Sequence, residues 1–452
     1  MKKLVTLLSL IWLVAATAEA RDLEDILKEK KVIDPIEANE AKAAKEREQA
    51  AAEKAAQSLP SLPSWLKMVT LFGDVRIRNE DFFRKGDTDR NRDRFRLRFG
   101  ARVDPTDELQ FGFKLTSGDP NNPLTNNETF TGEFTGKHIN VGNAYVKLMP
   151  SHSIGLDRPW LTLMGGKYDV PLYKIPSMSG LVFDPDLTPE GFFESLKPIE
   201  EKEGFLRGLS LNMGQWIIEE NTKTGEAAIY SFQGVAKFAL GDVLWNIGAG
   251  DYKYVDPSSI AVARNTNNQL AITNNVTLSD GTSLGGRKVD PTTVGPTKNG
   301  LDANGKPITI KKFVSGFNNV DVGTDILIPT GAQAWPVRTF FEYVVNTDAA
   351  NGNDKGLQVG AGVGATADPG NISLTYAYER LETDAVVSAF SDDDFGRDGG
   401  TNTKGHIVTL TYTFTKNLMF KSTAWFDKPV KNAAGRNPNA DYRWQVDLIA
   451  SF

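Results

Sequence analysis

From Tyr442 the chain alternates to its last residue. Tyr442, Trp444, Val446, Leu448, Ala450 and Phe452 are apolar or aromatic, with Arg443, Gln445, Asp447, Ile449 and Ser451 between them. The same period of two recurs upstream. Over 92–103, Phe95, Leu97, Phe99, Ala101 and Val103 share one face, and Arg94, Arg96, Arg98 and Arg102 share the other. Over 68–79, Val69, Leu71, Val75 and Ile77 oppose Asp74, Arg76 and Arg78; over 107–117, Leu109, Phe111, Phe113 and Leu115 oppose Lys114. Successive strand side chains point to opposite faces, so each segment predicts a strand with one greasy and one wet side. The pattern predicts about 16 strands: 68–79, 92–103, 107–117, 138–149, 159–169, 204–212, 215–220 and 226–239 in the first half. The second half gives 243–254, 315–328, 333–346, 356–367, 371–382, 404–414, 418–427 and 441–452. Alternation is poorest over 159–220.

Connections between these segments are short and long in turn. Asp104-Pro-Thr, Gly241-Asp242, Asp368-Pro-Gly370 and Thr415-Lys-Asn417 are tight, whereas 80–91, 117–138, 170–203, 255–314, 383–403 and 428–440 are long and polar. Alternation alone also fits a soluble sandwich with its apolar face turned inward. The N-terminus separates the two. Lys2 and Lys3 precede an apolar run, Leu4 to Ala16, and Ala18-Glu19-Ala20 matches a signal-peptide cleavage site. A run that short cannot span a bilayer as a helix, and no comparable run follows. Residues 1–20 are therefore expected to be a signal peptide, and strands must do any membrane crossing. Lipid offers backbone amides no partner, so a sheet in it must close on itself. Turns at one end and loops at the other complete the pattern. The expected fold is all-β, a transmembrane antiparallel β-barrel of about 16 strands over residues 67–452, with its third long segment folded inward, in the bacterial outer membrane.

Residues 21–66 precede it. Asp34-Pro35-Ile36-Glu37 has the form of a helix start, with Asp as cap, Pro in the first turn and Glu closing a capping box. To Gln57 the chain is almost only Ala, Glu, Lys, Arg and Gln, strong helix formers, with Ala41, Ala44, Ala51 and Ala55 on a seam that includes Glu48. A solvated spacer helix and a short periplasmic coiled coil or cell-wall contact through 34–57 both fit. Ser58-Leu-Pro-Ser-Leu-Pro63 reads as a linker.

A mean hydropathy of -0.32 and 24% charged residues are too polar for a helical membrane protein and natural for a barrel with a wet interior. The absence of Cys excludes disulfides, thiolate metal sites and thiol nucleophiles. The net charge of -6 becomes about -7 without residues 1–20, and this mild acidity argues against a nucleic-acid partner. Gly360-Ala-Gly-Val-Gly364 mimics a phosphate-cradling loop but lies inside strand alternation, with no helix to follow it. His138, His152 and His406 have no metal spacing and no nucleophile beside them. Asp392-Asp393-Asp394 with Asp398 offers oxygen ligands for calcium, but the EF-hand spacing and closing Glu are missing, and a solvated acidic loop is the simpler account. No enzyme activity, resident metal or cofactor is expected.

The arginines carry the sharpest chemistry. One Arg facing lipid near the midplane costs roughly 2–4 kcal/mol, and four cost roughly 8–16 kcal/mol, comparable to a whole protein's stability. Their face must look into water. Arg76, Arg78, Arg94, Arg96, Arg98, Arg102 and Lys114 then form a basic wall of an aqueous interior; the plainer account makes them ordinary solvated residues, some paired with Asp74, Asp93 or Glu108. Residues 170–203 carry Asp184, Asp186, Glu190, Glu194, Glu200, Glu201 and Glu203 against Lys174, Lys197 and Lys202. Folded inward, that segment sets Asp184, Asp186, Glu190 and Glu194 against the basic wall, and opposed charges in a narrow opening sort ions and polar solutes.

Gly73-Asp-Val-Arg-Ile-Arg78, Phe183-Asp-Pro-Asp-Leu-Thr-Pro-Glu-Gly191 and the terminal Ala450-Ser-Phe452 resemble the general diffusion porins of Gram-negative bacteria. The chain is most similar to the "putative porin" family, which likewise places a helical region before the barrel. The resemblance implies passive diffusion of small hydrophilic solutes and ions, a homotrimer, and contact with outer-membrane lipid and lipopolysaccharide. The long segment 255–314, rich in Asn, Thr, Gly and Asp, departs from unrestricted diffusion because it would cap the mouth. Two alternatives stay open: an anion- or phosphate-selective channel, for which guanidinium forks are suited but the acidic segment is not, and a tether acting through 34–57. A barrel enzyme would need a catalytic grouping that is not visible.

Overall fold

The computed structural model describes residues 64–176, 178–220, 226–261, 272–286, 304–306, 308–332, 334–396, 399–432 and 438–452. The expected signal peptide, the helix over 34–57, the linker and Asp398 lie outside the described residues. The chain divides into two units, 1–69 and 70–452. In the first, Ser64–Met68 is a turn of 3-10 helix.

The second unit is a closed antiparallel barrel of 16 strands. Its first half comprises β1 (Val69–Arg84), β2 (Arg90–Thr106), β3 (Leu109–Ser117), β5 (Ile139–Leu148), β6 (Leu161–Lys167), β7 (Glu190–Glu200), β8 (Leu206–Glu219) and β9 (Ala227–Leu240). β4 (Glu128–Thr129) is a two-residue strand paired to β2. The second half comprises β10 (Val243–Val255), β14 (Asn318–Ile328), β15 (Val337–Asn346), β16 (Lys355–Gly364), β17 (Ile372–Leu381), β18 (Thr403–Thr415), β19 (Leu418–Pro429) and β20 (Asp441–Ser451). β11 (Val276–Leu278), β12 (Ser283–Leu284) and β13 (Ile310–Phe313) form a separate small sheet. Each barrel strand pairs with the next, and β20 returns to β1.

Register decides which face is wet. At the closure Ile77 lies opposite Leu448, and Arg78 opposite Asp447. A slip of one residue would carry every side chain to the other face. Ile77, Leu97, Phe99, Phe111, Phe113 and Leu448 are exposed, whereas Arg76, Arg78, Arg94, Arg96 and Lys114 are buried. That is the inverse of a soluble sandwich and the arrangement expected of a barrel in lipid. Replacing the outward Leu97 by Arg should destabilise the barrel by roughly 2–4 kcal/mol in vesicles; an unfolding free energy unchanged in urea titrations would remove Leu97 from the lipid face. Phe452 completes the ring, donating its N–H to the Gly73 carbonyl at 3.1 Å and accepting from the Gly73 N–H at 3.3 Å. A Cβ at Gly73 would sit 2.4 Å from the Arg98 carbonyl oxygen, so the closure needs glycine there.

Three details differ from expectation while the number of strands holds. Residues 80–84 and 90–91, read as part of a long connection over 80–91, extend β1 and β2 and leave only 85–89 between them. The segments 204–212 and 215–220 are one strand, β8, and 190–200, read as part of the third long connection, is β7. On β7 both faces are chemically mixed: Glu190, Phe192, Glu194 and Leu196 alternate with Gly191, Phe193 and Ser195, so no apolar period marks it. The third connection is correspondingly short, 168–189.

The largest dry core lies between the long connections and the wall. Leu172, Leu181, Val182, Phe183 and Leu187 from 168–189 meet Ile272, Val276, Ile310 and Phe313 from 256–317 and Ala385, Val386, Val387, Ala389 and Phe390 from 382–402. They pack on Trp216, Tyr252, Tyr254, Val344 and Leu381 of the wall.

Candidate functional site

A cavity of about 460 Å³ separates two sets of opposite charges. On the wall stand Arg76 and Arg78 of β1, Arg96 and Arg98 of β2 and Lys421 of β19, with the single acid Glu379 of β17; on the connections stand Asp184, Asp186, Asp392, Asp393 and Asp394, with the single base Lys174. The strand period places the basic set, since residues two apart on adjacent strands share a face.

Most of these charges are tied down. Asp74 takes Arg96 Nη2 at 2.7 Å and Arg98 Nε at 2.5 Å. Arg98 also reaches across to Asp186, at 4.0 Å. Arg78 Nε donates to Asp447 at 2.7 Å, and its Nη1 lies 3.5 Å from Asp394. Arg443 Nε donates to the fully buried Glu80 at 2.7 Å and its Nη2 to Asp394 at 2.5 Å, while Arg92 also pairs with Glu80. Arg76 and Lys421 make no ion pair among the described residues. Arg76 Nη2 donates to Asn127 Oδ1 at 2.7 Å, and its Nε has no partner.

The acids on the connections are crowded. Burial, then the charges of Asp392 and Asp393, pushes Asp184 well above the usual carboxylate range. Desolvation and the charge of Asp394 push Asp393 up to about 7. Burial opposes ionisation of Asp394 too, but the guanidiniums of Arg443 and Arg78 outweigh it and hold this carboxyl below the usual range. Carboxylate oxygens of Asp184, Asp392 and Asp393 lie within 4.8 Å of one another.

The connection 168–189 is bound to inner-face side chains. Tyr173 Oη donates to Asp325 at 2.6 Å, Leu181 N–H to Glu342 Oε1 at 3.0 Å, and Gln233 and Gln358 donate to the carbonyls of Tyr173 and Ser179. A Cβ at Gly248 would lie 2.5 Å from Tyr173 Cδ1, so glycine leaves the space that the tyrosine ring fills. Asp184 N–H donates to the Phe390 carbonyl at 2.7 Å, joining this connection to 382–402.

The remaining expected site residues fall elsewhere. Arg94 is buried just behind the cavity lining, donating to the Asn127 carbonyl at 3.3 Å and to Thr125 Oγ1 at 3.5 Å, both residues of that lining. Lys114 pairs with Asp169 at 2.5 Å. Arg102 is half-exposed and pairs with Asp104 at 3.2 Å. Glu190 and Glu194 are corrected: they belong to β7, not to the connection. Glu190 pairs with Lys167 at 2.8 Å, and Glu194 stands between Leu163 and Met213, in register with the exposed Phe192. The sequence reading missed Lys421, Arg443 and Glu80 as site residues. A signal existed in β19, where Lys421, Thr423 and Trp425 alternate with Ser422, Ala424 and Phe426. Gly360–Gly364 continues β16 as a strand, with no helix after it.

The family model described as "Putative porin" matches residues 83–206 and 219–452. The chain belongs to this porin family. Among solved structures, the high-pH structure of Pseudomonas putida OprB is 11% identical over 85% of this chain and 94% of that one, with a TM-score of 0.53. The complex of Salmonella typhi OmpF with daunomycin is 11% identical over 85% of this chain and 97% of that one, with a TM-score of 0.48. At 11% identity the OprB likeness speaks for the fold alone. No curated protein matches the sequence. Barrel and family together make the protein an outer-membrane channel of the porin type.

Proposed function

We propose that the channel lets small hydrophilic solutes and ions diffuse passively past a constriction formed by the basic wall and the acidic connections. The observation that carries this reading is the cavity with arginines on one side and carboxylates on the other, inside a closed ring of strands. Such a transverse charge separation orients polar solutes and weighs cations against anions without breaking a bond. Assembly as a homotrimer among lipopolysaccharide belongs to the same proposal; a cell-wall contact through 34–57 would add a tether to it.

A second reading, a channel selective for phosphate or other anions, draws support from Arg76 and Lys421, which line the cavity and have no acid partner among the described residues. Planar-bilayer recordings separate the two. Diffusion requires conductance that rises linearly with salt, and selective passage requires saturation by phosphate; no conductance at all would reject both.

The recordings also carry a pH prediction. Asp393 is neutral below about pH 7 and ionised above it. Raising the pH from 6 to 8 therefore adds negative charge to the acidic side and should move the reversal potential toward cation preference. Constant selectivity across that interval would place the ion path away from Asp393.

A further inference from the structure

Behind the connection 168–189, two acids of the barrel wall lack a counter-charge. Asp321 on β14 and Glu342 on β15 are 8% and 6% exposed. They are diagonal neighbours on the inner face, because Glu342 lies opposite Gly323, which has no side chain to separate them, and Asp321 lies opposite Val344. Glu342 Oε1 accepts the Leu181 N–H at 3.0 Å, but Glu342 Oε2 and Asp321 Oδ1 have no hydrogen-bond partner. Neither acid makes an ion pair among the described residues. Both line one small cavity of about 50 Å³ under the connection, with Tyr252, Asp169, Asp184 and Lys174. Lys174 is exposed and makes no ion pair that would neutralise them.

Two carboxylates taken out of water without compensation are costly, and such groups are found protonated, paired or holding a metal. No hydrogen bond links Asp321 to Glu342, so a proton shared between them does not account for the arrangement. We infer that Asp321 and Glu342 bind a divalent cation, with calcium the best fit, wedged between the wall and the inward-bound connection. Two positive charges balance the two carboxylates. The anionic side chains lining the space are all carboxylates, which favours a hard cation, and calcium tolerates the irregular six- to eight-fold geometry that two strands and a loop can offer. The space admits an ion with a few waters. Through Glu342, which also holds Leu181, the ion would fasten the connection that carries Asp184 and Asp186.

Terbium(III), which occupies calcium sites and emits when a nearby tyrosine is excited, tests this in the full chain in detergent. Tyr252 is placed to sensitise it. Emission should rise on binding and fall as calcium competes. In Asp321→Asn with Glu342→Gln the affinity should drop by roughly tenfold or more, because calcium affinity follows the number of ligand charges. Asp392→Asn with Asp393→Asn serves as control and should keep the signal. Absent emission, emission unchanged in the first variant, or emission lost in the control would each overturn the site. Should the first variant fail to fold, Glu342→Gln alone, with the calcium-dependent rise in melting temperature of the unaltered protein, decides instead: no rise, or no fall in terbium affinity, overturns it. Binding is read without conductance, so this result and that of the channel reading are independent.

Discussion

Replacing Arg76, Arg98 and Lys421 together by Gln should raise the channel's cation-to-anion permeability ratio about tenfold. All three line the central cavity. A unit charge roughly 8 Å from a passing ion in water is worth about 0.5 kcal/mol, which screening about halves; three such charges act with opposite sign on a cation and an anion, so the ratio moves by roughly 1.5 kcal/mol, near a factor of ten. The choice of residues follows from their partners. Arg76 and Lys421 hold no carboxylate among the described residues, and Asp74 keeps Arg96 when Arg98 is lost. Asp186 loses only its long 4.0 Å contact with Arg98 and keeps the Asn126 N–H at 3.5 Å, so the barrel should fold. Arg94 is the poorer target, since it does not line the cavity. Reversal potentials should be taken across a gradient below about 0.1 M salt, where the screening length still reaches about 10 Å. A potential that does not move would mean that ions do not pass the basic wall.

The second large effect is on stability. Arg443→Met should cost the barrel roughly 3 kcal/mol, the lower end of what breaking a buried ion pair costs, because Arg92 still pairs with Glu80. Glu80 is fully buried, and Arg443 is bound both to it and to Asp394. The network therefore spans β1, β20 and the connection 382–402. Urea unfolding in lipid vesicles measures the loss. Adding Glu80→Gln to Arg443→Met should recover much of it, since the stranded charge rather than the missing bond carries the cost. A loss below about 1 kcal/mol, the range of exposed pairs, would show the network to be solvated.

The barrel was legible because lipid on one side and water on the other impose a period of two on nearly every strand. Where that period failed, so did the reading. β7 sets Glu190 and Glu194 on the same side as Phe192, and the sequence alone gave no reason to separate it from the connection before it. The basic wall was legible for Arg76, Arg78, Arg96 and Arg98, because the cost of guanidinium in lipid fixes their side of the sheet. Lys421 and Arg443 sit on the same inner face but far along the chain, and they join the site only because β20 closes on β1.

Local chemistry thus determined the strands, their greasy faces and the need for a closed wall, since those follow from each residue's own transfer energy and a periodicity readable over ten positions. Most partners of the charges were decided by tertiary structure. Asp74, offered by the sequence as a partner of the wall arginines, does hold Arg96, but Arg78 with Asp447 and Asp184 beside Asp392 are pairings between strands and connections hundreds of residues apart. Register, closure and the folding of the long connections set them, and none of these leaves a trace in the sequence near the residues concerned.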